Sequence, residues 1–382
     1  MSKEEMKMQM KRLVAIVVVL LMVVALAACG GGGTTSDAPS NADTGTSSSS
    51  NDTATSGGGA KYKIGLSNGY LGNDWRQIMI KVAEVFAEKE PFKSDVEFSI
   101  VNTDNTPEAQ TQAIDAMIEQ GYDAIIIDVS SGEALKPVAQ RALDKGIVVV
   151  AISAPIEHPD IYYVEIDMAA MSTAWAKYLV EQLEPGAKIA VDTGLPGMTV
   201  GTGIYDAAMA VFEANDIQVV AEFAGEWADG KGQTEIASVL AANPVLDGLF
   251  SQVYGDTIAN AFKQAGRDLI PSSAFITNSG MGTALDLNMS IIIGNNCPGV
   301  AAMGLDIAYQ ALEGKNPQKI NSFISDCFVN KKDVGLNLGV PLQAIEEGVN
   351  YFPDFPPAFN WPVLPSDYPI QVTAQEIFNY QQ

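Results

Sequence analysis

The sequence predicts an α/β protein built from two doubly wound parallel sheets. From residue 61 onward, short β-branched runs alternate with stretches of helical periodicity, Gly or Pro marks many of the boundaries, and the alternation runs through two successive series. Strands that alternate with helices in this way form parallel sheets covered on both faces.

Lys61 to Leu66 reads as the first strand. The helix after it places Trp75, Ile78, Met79, Val82 and Phe86 at helical spacing, with Asn73 or Asp74 as its cap. Thr106-Pro107 supplies the cap and first-turn proline of a second helix, which carries Ile114, Met117 and Ile118 and stops at Gly121. Strand Ala124 to Asp128, a helix near Glu133 to Lys145, and strand Ile147 to Ile152 complete the first series. The nearly unbroken apolar character of that last strand suits one buried on both sides. The second series opens with a helix from near Asp167 to Leu183 and the Pro185-Gly186 turn. It continues with strand Lys188 to Asp192, a helix near Ile204 to Ala214, strand Ile217 to Phe223 and a helix near Gln233 to Ala242. Strand Leu246 to Gln252, a helix from Asp256 to Ala265 and strand Ala274 to Asn278 follow.

Residues 1–29 read as a bacterial export leader: Lys7, Lys11 and Arg12 precede an apolar run from Leu13 to Ala28 that ends in Leu26-Ala27-Ala28-Cys29. That ending resembles a lipobox, in which the cysteine is acylated and becomes the mature N-terminus, so Cys29 is expected to anchor the chain to the outer face of a membrane. An uncleaved spanning helix is the alternative, and it needs about 20 apolar residues, more than this run holds. Residues 30–60, rich in Gly, Ser, Thr and Asn, bury too little apolar surface to offset ordering entropy and read as a flexible tether. The remaining chain, in a sequence 47% hydrophobic overall, is long enough for two lobes with real cores. A net charge of −24, from 22 basic against 46 acidic residues, argues against nucleic-acid partners, which are held by cationic faces that release counterions.

Four stretches then carry a pattern. Gly72-Asn73-Asp74-Trp75-Arg76 follows the first strand, and Gly121-Tyr122-Asp123-Ala124-Ile125-Ile126-Ile127 enters a later one. Glu226-Trp227-Ala228-Asp229 precedes Ala241-Ala242-Asn243-Pro244-Val245-Leu246-Asp247-Gly248, and Pro298-Gly299-Val300-Ala301-Ala302-Met303-Gly304 precedes Leu312-Glu313-Gly314. In order and spacing, over roughly residues 61–335, these resemble the periplasmic sugar-binding proteins related to the ribose- and galactose-binding proteins. The resemblance implies the type I periplasmic-binding-protein fold, with two lobes joined by a three-strand hinge and ligand between them. The first lobe would comprise 61–166 and 297–325, and the second 167–296 and 326–340. Cys297 and Cys327 would then both lie beside hinge crossings. A disulfide between them would tie two hinge strands; two separate buried thiols is the other reading. Residues 341–382 extend beyond the family core, and their prolines and interleaved aromatics suit an extended tail packed over the second lobe or hinge, or else a docking surface.

A sugar presents apolar C–H faces and a rim of hydroxyls, so its site needs aromatic plates and planar polar groups. Trp75 and Trp227 match the family's stacking aromatics in the two lobes, with burial in a core as the structural alternative; Trp175, inside a helical pattern, reads as core. Asn73, Arg76, Asp128, Ser153, Asp256, Asn278 and Asn295 fall at the C-terminal ends of strands or in the turns beyond, the ends that face the crevice in open α/β sheets. Each also has a structural alternative as a strand terminator or helix cap. The sequence departs from the family where Ser153-Ala154 replaces an Asp-Arg pair, and an arginine that opens a second-lobe helix is missing near 202–204. The hydroxyl pattern being read must therefore differ from that of ribose.

The expected function is sugar binding as a monomer, without cofactor or metal, for an ABC permease. A receptor for chemotaxis or a sensor kinase, or a nucleoside or furanose-type ligand, are the alternatives. An enzyme is not expected: the chain has one histidine, His158, and lacks a Gly-x-Ser-x-Gly elbow, a metal-binding His cluster and a phosphate loop.

Overall fold

The computed structural model describes residues 60–380, apart from Asn105 and Met198 and the side chain of Thr199. The leader, Cys29 and nearly all of the tether lie outside the described residues.

Strands β1 (Tyr62–Asn68), β2 (Val96–Asn102), β3 (Ala124–Asp128), β4 (Val148–Ile152), β5 (Tyr162–Ile166) and β11 (Ile320–Phe323) form a parallel six-stranded sheet in the order β2-β1-β3-β4-β5-β11. One face packs on α1 (Asp74–Ala87) and α10 (Val300–Leu312), the other on α3 (Pro107–Glu119) and α4 (Gly132–Asp144); the short α2 (Phe92–Asp95) precedes β2. All five residues of β3 are buried, as a parallel strand sandwiched between helices requires. The caps follow the sequence: Asn73 Oδ1 accepts the Arg76 N–H at 2.9 Å to start α1, and Thr106 Oγ1 accepts that of Ala109 at 3.3 Å to start α3.

The second sheet comprises β6 (Lys188–Asp192), β7 (Gln218–Phe223), β8 (Gly248–Phe250), β9 (Ser272–Phe275), β10 (Ile291–Gly294), β12 (Cys327–Val329) and β13 (Leu342–Ala344), ordered β7-β6-β8-β9-β10-β12-β13. Among the described residues its one antiparallel pairing is β10 with β12. Helices α5 (Met168–Gln182) and α6 (Thr199–Ala214) cover one face, and α7 (Asp229–Ala242), α8 (Gly255–Ala265) and α9 (Asn278–Asp286) the other. Trp175 is fully buried on α5 against Phe250 and Phe275, as its helical spacing predicts. The chain passes between the sheets at 166–168, 294–300 and 323–327, the three crossings that the resemblance implies.

Two expectations change. Cys297 and Cys327 are free and buried, not bridged. Alternation along β12 sends Cys327 into the core under α5 and α6, whereas Cys297 lies in the first-lobe core and contacts Ser325 Oγ at 3.1 Å. The C-terminal segment also reaches further than the second lobe and hinge. It adds β13 to the second sheet, then enters the first-lobe core through Phe359, Val363, Leu364, Tyr368, Val372 and Ile377. The final helix α11 (Ala374–Asn379), closed by a Thr373–Glu376 capping box, packs on α1. The segment is thus a fourth link between the lobes.

Candidate functional site

Register builds the first half of the site. Asn68 at the end of β1 pairs with Asn102 on one side and Asp128 on the other, and Asp128 pairs with Ile152, so the C-terminal ends of β2, β1, β3 and β4 are level. Asn68 Nδ2 donates to Asn102 Oδ1 at 2.8 Å. Asp128, 1% exposed, accepts the Ser153 hydroxyl on Oδ1 at 2.8 Å, while its Oδ2 forms an ion pair with Arg76 from the first turn of α1. Ser153 stands just beyond β4 with φ +66°, in a left-handed conformation that turns the chain away from the sheet. Burial pulls the Arg76 guanidinium down, to about 10, against a smaller raising effect of Tyr70, so Arg76 is charged at neutral pH. Its guanidinium lies over the Trp75 ring, 5.2 Å from the centroid. Trp75 is half-buried against the first-lobe core and donates Nε1 to the carbonyl of Asn296, on a hinge crossing, at 2.6 Å.

Gln110, fully buried on α3, holds this edge together. Its Nε2 donates to the carbonyls of Ser67 at 3.2 Å and Asp128 at 2.8 Å, and its Oε1 accepts the Ser130 N–H at 3.1 Å.

The second half rises from β6, β7 and β8. Trp227 stands in the loop after β7, half-buried and, among the described residues, part of none of the hydrophobic clusters. Its Nε1 donates to Gln252 Oε1 at 3.1 Å, and its carbonyl accepts the Tyr254 hydroxyl at 3.2 Å. Glu226 and Trp227 are both left-handed, at φ +56° and +53°, a conformation that costs a non-glycine residue on the order of 1 kcal/mol or more. Burial, then the charges of Asp229, Asp74 and Asp256, push the Tyr254 phenol up to about 12. Asp256 follows Tyr254 at the start of α8, its carboxyl raised chiefly by burial.

Asn73 caps α1, and beside it Trp75, Arg76, Asp128 and Ser153 come together in the first lobe, with Trp227 and Asp256 in the second. Asn278 and Asn295 do not join them. Thr277 caps α9, so Asn278 is a helix residue rather than a strand end, and its amide is engaged by the backbone of Phe352 and Phe355. Asn295 Nδ2 donates to the Pro362 carbonyl at 2.8 Å. The C-terminal segment covers both. The sequence reading omitted Gln110, Asp192, Gln252 and Tyr254, although Asp192 and Gln252 end predicted strands, the same signal that picked out Asp128.

The model of the periplasmic binding protein domain family matches residues 64–316. The ribose import binding protein of Bacillus subtilis is 24% identical over 268 residues, which are 68% of this chain and 84% of that one. Among solved structures, the ABC transporter solute binding protein from Thermobispora bispora superposes with a TM-score of 0.64 at 24% identity, over 72% of this chain and 86% of that one. The periplasmic solute binding protein from Actinobacillus succinogenes, with bound D-allose, gives 0.60 at 21%, over 72% and 98%. At these identities the structural matches establish the fold.

Proposed function

We propose, because this chain belongs to the periplasmic binding protein domain family, that it is the extracytoplasmic solute-binding component of an ABC importer and takes a sugar or related small polar ligand between its lobes. The observation that carries the reading is the pairing of chemistries across the lobes. On the first lobe a buried Arg76–Asp128–Ser153 cluster adjoins Trp75; on the second, Trp227 stands outside the cores. An indole covers the C–H face of a sugar, and a guanidinium beside a carboxylate reads neighbouring hydroxyls as acceptor and donor. Just beyond β4 this chain has Ser153-Ala154, and Arg76 offers a guanidinium from α1.

Ligand selects the closed arrangement because only there do both lobes touch it. The closed form would be received by a membrane permease, with Cys29 carrying the lipid that keeps the protein near it. The reading involves no chemical turnover and no cofactor. A thermal-shift screen of pentoses, hexoses, polyols and nucleosides tests it, since a ligand that binds only the folded chain raises its melting temperature. Stabilisation by one or more sugars is expected; hits confined to nucleosides, or turnover of a glycoside, would overturn it.

A further inference from the structure

Three loops of the second lobe converge on one buried carboxylate. Asp192, 0% exposed at the end of β6, accepts the N–H of Gly194 and of Gly225 on Oδ1, each at 2.9 Å, and that of Gln252 on Oδ2 at 3.0 Å. These belong to the loops after β6, β7 and β8. Gln252, also fully buried, returns its Nε2 to the Asp192 carbonyl at 2.9 Å and presents Oε1 to the Trp227 indole. The loop that bears Trp227 springs from Gly225, where a Cβ would stand 2.6 Å from Asp192 Oδ2.

We infer that Asp192 and Gln252 are positioning residues that set the Trp227 ring before ligand arrives. Among the described residues no hydrophobic cluster holds Trp227, and two left-handed residues leave its loop strained, so the indole N–H bond to Gln252 and the Asp192 anchor at Gly225 fix it. A plate held in advance loses no rotamer freedom on binding. The inference rests on the sugar-binding reading for its purpose, and its geometry is tested separately.

The chain labelled with 5-fluorotryptophan gives one fluorine resonance for each of its four tryptophans, and loss of a line in Trp227→Phe assigns Trp227. In Gln252→Met, of similar volume but without the amide, the Trp227 line should shift and broaden while those of Trp75, Trp175 and Trp361 stay. An unmoved Trp227 line overturns the inference. If that variant fails to fold, the parent protein decides: the Trp227 indole N–H should exchange with solvent about tenfold slower than a free indole, and exchange at the free rate overturns it. Titrating the parent with D-allose, D-galactose and D-ribose tests the underlying reading by itself. Failure of every sugar to move the Trp227 line would count against sugar binding and leave the positioning result intact.

Discussion

The side chain of Asn278 brackets the peptide of Phe352: Nδ2 donates to its carbonyl at 2.7 Å, and Oδ1 accepts its N–H at 2.9 Å. The same Nδ2 reaches the Phe355 carbonyl at 3.1 Å, and the backbone N–H of Asn278 donates to Phe359 at 2.8 Å. An amide saturated by backbone in this way is withheld from a ligand. It fastens the C-terminal segment to the second lobe just before that segment enters the first-lobe core.

Replacing Asn278 with Ala should therefore lower stability by about 1–3 kcal/mol, because half-buried backbone groups of Phe352 lose their partners. Sugar affinity should stay within about twofold, a change of under ~0.5 kcal/mol. Thermal unfolding and calorimetric titration of one preparation check both; a large loss of affinity at unchanged stability would return Asn278 to the binding site.

Arg76→Met leaves the Asp128 carboxylate buried beside Ser153 without its cation, at a cost of about 3–5 kcal/mol. Adding Asp128→Asn removes the uncompensated charge, so the double variant should regain much of the stability but not the sugar affinity. Denaturant unfolding measures the first quantity and titration the second. Equal affinity in the double variant and the parent would remove this cluster from the site.

The two indoles should separate in the same assays. Trp227→Ala is expected to weaken sugar binding by at least ~tenfold and to cost about 1 kcal/mol of stability or less. Trp75→Ala should weaken binding similarly but cost up to about 3 kcal/mol, because that ring packs on the first-lobe core. Undiminished binding by both variants would mean the ligand lies elsewhere.

Burial pushes the Cys297 and Cys327 thiols up to about 12, and the thiolate is the reactive form. Neither should react with a thiol reagent in the native protein at neutral pH, and both should react in denaturant without prior reduction. Reaction only after reduction would mean that they are bonded to each other.

What could be read from the residues followed burial on two sides. β3 and β4 were legible because a parallel strand between helices is apolar along its length. β2 and β5 were not: β2 lies at a sheet edge and leaves much of Val96–Asn102 exposed, and Tyr162–Ile166 alternates polar and apolar positions. Strand-end polarity singles out Asp128 and Ser153, which the structure brings together beside Arg76. Applied equally, it singles out Asp192 and Gln252, and it gives no sign that Asn278 and Asn295 are covered, because the chain that engages them lies far away in sequence.

Period and composition by themselves determined the α/β class, the two series of units, the helix starts at Asn73 or Asp74 and at Thr106, and the core placement of Trp175, since each depends on neighbours within a few residues. Which thiols meet, which asparagines remain free, and what holds the Trp227 ring were decided only by tertiary structure. Those outcomes depend on which face a strand turns inward and on a segment that returns from beyond residue 340 to fill the first-lobe core, and no local pattern encodes either.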